Sequence, residues 1–168
     1  AAEPNPPQVQ GKSFRVSATV RNPNPNGVVI SHGGVQFGYS LHFIKGKPAF
    51  SIRDKGKLTT LISEKSLSGK IEIEASLNAE TMSISAGGKT IASRKSPGLF
   101  SGQPQIGLYV SQDFQDSVGD YKLPNKFNGK IIKHEVKVVM PTITMRTEWG
   151  EKVTDENAWQ EYPRPQFR

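Results

Sequence analysis

This 168-residue sequence contains no cysteine, and the candidates for chemistry lie among its carboxylates, histidines, hydroxyls and aromatics. Disulfides, thiolate zinc sites and cysteine nucleophiles are thereby excluded. The segment KIEIEASL sets Glu72 and Glu74 two residues apart. On a strand such residues project from one face about 7 Å apart, a separation that would suit the acid and base of a glycosidase. An enzyme of that kind also needs a third partner and an aromatic sugar platform beside the pair, and this segment has neither. Glu72 and Glu74 therefore read as solvated glutamates facing lysines on neighbouring strands.

The segment SQDFQDSVGD gathers Asp113, Asp116 and Asp120. Hard carboxylate oxygens on one loop are what calcium takes, although the spacing lacks the acidic twelfth position of the helix-loop-helix calcium pattern. The same residues also suit turns, where an Asp side chain bonds its own backbone two residues on. Tyr109, Phe114 and Tyr121 lie in and around this stretch. Phe114 and Tyr121, in polar surroundings, could stack on the apolar face of a sugar ring while Asp116 takes a hydroxyl. Tyr109, on an apolar run, is expected in core or rim packing. His32, His42 and His134 are isolated, with no paired metal-ligand spacing. There is no G-x-S-x-G nucleophile turn, and HGGVQFG lacks the spacing of a phosphate-binding loop. No catalytic residue is assigned.

The elements that must carry these residues alternate with period two. KSFRVSATVR puts Phe14, Val16, Ala18 and Val20 on one face and Arg15, Ser17, Thr19 and Arg21 on the other. FGYSLHFIKG opposes Tyr39, Leu41 and Phe43 to Ser40, His42 and Ile44, and GKIEIEASL opposes Ile71, Ile73, Ala75 and Leu77 to Glu72, Glu74 and Ser76. Turns are expected at NPNPNG, at Lys45-Gly46-Lys47, at Asp54-Lys55-Gly56, at Asn78-Ala79-Glu80 and at Gly87-Gly88. QPQIGLYVSQ and FNGKIIKHEVKVVM read as later strands. About ten short runs with a turn every eight to twelve residues predict an all-β, antiparallel sandwich of jelly-roll type.

The net charge is +7, from 22 Lys and Arg against 15 Asp and Glu, with the basic residues scattered singly along the strands. Scattered lysines protect sheet edges and keep a surface soluble. Nucleic-acid binding would need a basic patch with interleaved aromatics, and none is present. No segment approaches the ~20 apolar residues of a membrane span. The sequence opens on AAEPNPPQ without Met, from which removal of the natural start is expected.

The order of the strands over roughly residues 9–139 resembles the laminin-G-like, concanavalin-A-like jelly roll. KSFRVSATVRNPNPNGVVISHGG looks like its opening strands, FGYSLHFIKGKPAFSI like its hairpin, and GKIEIEASLNAETMSISAGGKTIAS like its central meander. VGDYKLPNKFNGKIIKHEVKV looks like its closing strand, with Phe127, Gly129 and Ile131 at the F-x-G-x-I positions. Modules of this kind often hold calcium at the rim of the sandwich, which adds to the reading of Asp113, Asp116 and Asp120. The tail carries a second resemblance. Glu148-Trp149-Gly150 and the stretch from Glu161 to Gln166, EYPRPQ, look like the lead-in to family-two glycoside hydrolases, the β-galactosidase group. Thr154 could cap a short helix there.

The resemblances imply three parts: an N-terminal linker over 1–8, a laminin-G-like sandwich over 9–140, and a connector over 141–168 to a further domain. They imply a noncatalytic accessory module of a larger secreted or periplasmic carbohydrate-active enzyme, a glycoside hydrolase rather than a sulfatase. Its partners would be a polysaccharide or oligosaccharide and neighbouring domains of the same polypeptide, with no nucleic acid and no membrane span. The alternative is a structural spacer that positions its neighbours and binds nothing.

Overall fold

The computed structural model describes residues 5–113, 117–122 and 125–139. The expected connector over 141–168, with its capped helix, lies outside the described residues. Twelve strands follow in order: β1 (Ser13–Asn22), β2 (Gly27–Gly33), β3 (Phe37–Ile44), β4 (Lys47–Asp54), β5 (Lys57–Ile62), β6 (Gly69–Leu77), β7 (Thr81–Ala86), β8 (Lys89–Lys95), β9 (Leu108–Val110), β10 (Gln112–Asp113), β11 (Asn125–Lys126) and β12 (Lys130–Val139). One five-stranded sheet has the order β12-β1-β6-β7-β8 and the other β5-β4-β3-β2-β9, with β10 and β11 as a separate short pair. The strand pairs within these sheets are antiparallel. The antiparallel sandwich read from the alternation is therefore what forms.

Turn chemistry sets the registers. At Lys45-Gly46 and Lys55-Gly56 both residues have positive φ, 49° and 85° in the first turn and 53° and 82° in the second. These are the left-handed pairs of tight hairpins, whose twist matches that of the flanking strands. They hold β3, β4 and β5 as a continuous meander. Asn78 closes the β6–β7 turn differently, its Oδ1 accepting from the backbone N–H groups of Glu80 and Thr81, each at 2.8 Å.

The core lies between the sheets. Phe14, Val16 and Val20 of β1 and Ile71, Ile73, Ala75 and Leu77 of β6 are buried, and so are Tyr39, Leu41 and Phe43 of β3 and Phe50 and Ile52 of β4. The Phe14 ring sits 4.8 Å from Tyr39 and 6.4 Å from Phe50, centroid to centroid. The F-x-G-x-I positions close one end. Phe127 is buried, 5.9 Å from Phe43. A Cβ on Gly129 would stand 2.6 Å from the Arg21 carbonyl oxygen, so only glycine lets the chain cross β1 there. Ile131 then pairs with Val20 and packs against the core.

The NPNPNG turn is fastened to the same end by asparagines. The Asn26 N–H donates to Asn128 Oδ1 at 2.9 Å, and the Asn128 N–H donates to the Asn26 carbonyl at 3.0 Å. Edge strand β12 carries Lys130, Lys133 and Lys137, and edge strand β8 carries Lys89, Arg94 and Lys95. The scattered cations thus guard both edges of one sheet. No helix among the described residues is long and apolar enough to cross a membrane.

Candidate functional site

The two outward faces of the sandwich are treated differently. On β3, β4 and β5 the outward residues include Ser40, Ser51 and Thr60, and register places them side by side with Ser31 of β2. The result is a row of four hydroxyls running across the sheet. Amphipathic strands normally leave such a face to water. Here Ser31, Ser40 and Ser51 are almost fully buried, and every residue of β2 is buried on both sides.

The cover is the segment that includes β10 and residues 117–122, termed the strap below. The Ser31 hydroxyl donates to the Gln112 carbonyl at 2.8 Å, and Arg53 Nε donates to the Val118 carbonyl at 2.7 Å. Val118 is itself buried, above Gly38, where an added Cβ would stand 2.8 Å from its Cγ2. The missing side chain at Gly38 makes the seat.

Asp113 is the latch. Its carboxylate is buried, and its Oδ2 accepts from the Val118 N–H at 3.0 Å and from the Tyr121 hydroxyl. The same Tyr121 oxygen lies 3.0 Å from Ser40 Oγ. Its ring is stacked edgewise on His42 with centroids 5.1 Å apart, and a Cβ on Gly119 would meet it at 2.4 Å. Burial raises the Tyr121 pKa, and the adjacent Asp113 charge adds to the rise. His42, buried under that ring, has its Nε2 2.8 Å from Ser51 Oγ, which is 3.1 Å from Thr60 Oγ1. Desolvation lowers its pKa to about 4, so it is neutral near pH 7.

The residues predicted from sequence fall out as follows. Phe114 and Asp116 lie outside the described residues. Tyr121 is held by its ring and its hydroxyl, an anchor where a free stacking platform was expected. Asp113 points inward to the latch, whereas Asp120 is exposed. A calcium ion needs six to eight oxygens around it. Among the described residues no three carboxylate or histidine side chains converge on a common point, so the expected rim ligands are not assembled by Asp113 and Asp120. Tyr109 pairs with Ser31 and shares its outward face, half-buried, whereas its neighbours Leu108 and Val110 face the core. The core positions belong to them, and Tyr109 packs at the rim.

His32 is inside the sandwich, fully buried, with Nδ1 2.9 Å from the Tyr39 hydroxyl and a pKa lowered to about 4 by burial. Glu72 and Glu74 stand on the open face of the other sheet. They line a shallow depression of about 600 Å³ together with Ser17, Thr19, Lys133 and Glu135. Glu74 and Arg15 approach to 4.0 Å with both side chains nearly half exposed. That hydrated, mixed-charge surface fits the solvated reading of the pair, and the depression is wide and open where a glycosidase needs an enclosed acid.

No protein-family model matches the chain, and no curated protein does. Solved structures do. Mouse laminin α1 domains LG4-5 superpose with a TM-score of 0.60 at 11% identity, over 82% of this chain and 42% of the laminin chain. NanB, determined with Optactamide, gives 0.59 at 14% identity over 81% of this chain and 23% of its own. Botulinum neurotoxin type C, which depends on interaction with two ganglioside molecules to enter cells, gives 0.52 at 14% identity over 77% and 33%. The chain spans less than half the length of each. At these identities the likeness is one of fold: the chain is a laminin-G-like, concanavalin-A-like jelly roll.

Proposed function

We propose that the chain is a noncatalytic, carbohydrate-binding accessory module of a larger secreted or periplasmic carbohydrate-active enzyme. The observation that carries this reading is the strap. On the rim, Gln112, Asp113 and Val118 are tied to Ser31, Arg53 and one another without any ligand. A preformed rim loses less conformational freedom on binding than a loose loop would. Phe114 and Asp116, in the same stretch of sequence, are the residues proposed to meet the sugar. The interaction of botulinum neurotoxin type C with gangliosides supports the reading by analogy of fold. The acids Glu72 and Glu74, on an open face, support the noncatalytic part of it.

A second reading, the structural spacer, is favoured by Tyr121, whose hydroxyl and ring are already engaged within the fold. The purified chain, passed over a panel of immobilised neutral and acidic polysaccharides, separates the two. The binding module should be retained on at least one polymer, and Phe114→Ala should abolish that retention. Failure on the whole panel favours the spacer, and hydrolysis of aryl-glycosides by the purified chain would overturn both.

A further inference from the structure

The strap covers polar surface. Beneath it lie Ser31, Ser40, Ser51 and His42, with Arg53 one row along and Gly38 as its seat. Lifting residues 117–122 would wet hydroxyls and an imidazole while the apolar core between the sheets stays closed. Such an opening is a sub-global event, cheaper than unfolding. What the lifted strap gives up is its set of hydrogen bonds, the contact between the Tyr121 ring and His42, and the burial of the Val118 side chain over Gly38.

We propose that residues 117–122 form an acid-responsive cover, in which protonation of His42 is coupled to release of Tyr121 from β3. Geometry imposes the coupling. His42 is enclosed by Tyr121 from the strap, Ser51 from β4 and its own strand, and its Nε2 is held by the Ser51 hydroxyl. Among the described residues the charged groups bonded to this cluster are Asp113, at the Tyr121 hydroxyl, and Arg53, at the Val118 carbonyl; Asp120 and Lys122 of the strap are exposed. From β2, β3 and β5 the facing side chains are the hydroxyls of Ser31, Ser40 and Thr60. Among the described residues an imidazolium here has no carboxylate of its own, since the buried one, Asp113, is occupied by Tyr121 and Val118. The lifted strap lets water solvate that charge. The closed form therefore binds the proton less tightly than the open form, and acid shifts the balance toward opening.

Amide hydrogen exchange in the whole chain tests this. Exchange at the Val118 N–H, corrected for intrinsic rate, should lose protection by roughly 50- to 100-fold between about pH 7.5 and about pH 4.5. His42→Gln, which keeps a donor toward Ser51, should remove that dependence, and His32→Gln, altered in the core, should leave it. Unchanged Val118 protection in the wild type overturns the proposal. So does a weakened dependence in His32→Gln, because exchange through global unfolding would carry the proton uptake of both buried histidines. Should a variant not fold, the wild-type His42 ring titration decides: a midpoint near the ordinary histidine value with Val118 still protected also overturns it.

Discussion

The two outer faces of this sandwich start from the same kind of sequence and end in opposite states. β1 and β6 alternate apolar residues with Arg15, Ser17, Glu72 and Glu74, and that polar side stays exposed or half-exposed. β3 and β4 alternate apolar residues with Ser40, His42, Ser51 and Arg53, and that polar side is roofed by the chain itself. Polar residues behave differently in the two settings. In water a charge pair trades protein contacts for hydration at almost no gain. Under a roof every donor and acceptor must be matched, so each becomes costly to disturb.

Acid should expose the difference most strongly. His32 and His42 are neutral in the fold, with pKa values lowered from 6.5 to about 4 by burial. In the unfolded chain they take up protons as the pH falls below 6.5. Stability is therefore complete above that value, declines down to about pH 4, and levels off below it as far as these groups are concerned. Each histidine accounts for a loss on the order of 3 kcal/mol. Urea midpoints measured at stepped pH check this, and a flat profile across the window would equate the two faces.

Next in size is the latch. Asp113→Ala should destabilise by about 2–4 kcal/mol, because it strands the Tyr121 hydroxyl and the Val118 N–H under the strap. Asp113→Asn, which keeps a carbonyl oxygen, should lose less. Thermal melts of the two variants distinguish a buried acceptor from a surface carboxylate. The smallest effect belongs to the open face. Arg15→Ala or Glu74→Gln should change stability by no more than about 0.5 kcal/mol, and added salt should shrink even that. A larger loss there would show that this face, too, is covered by something.

The fold was legible where structure is local. Lys45-Gly46 and Lys55-Gly56 announce tight hairpins because left-handed pairs favour glycine, whereas Phe127, Gly129 and Ile131, whose contacts are the distant Phe43, Arg21 and Val20, were legible only through the resemblance. The strap was not legible. Its bonds join Asp113 to Val118 and Tyr121, Arg53 to Val118 and Ser31 to Gln112, and no periodicity encodes such pairings. QPQIGLYVSQ shrinks to the three residues of β9. VVISHGG, buried on both sides, carries no alternation from which the inward turn of His32 could be read. The hydroxyl row was visible as polar positions on successive strands, yet the same spelling describes a wet face. What covers a strand lies elsewhere in the chain.

The first and last long strands are partners, and Ser13 pairs with Val139. Chain arriving at the sandwich and chain leaving it therefore meet at one corner. Once Val9 has left the core and Gly11 has left Phe100, a pull on both flanks would load the β1–β12 ladder at its end and peel it rung by rung, with no shearing of all rungs together. Under tension that ladder would give way one rung at a time, a compliant seam in place of a rigid one.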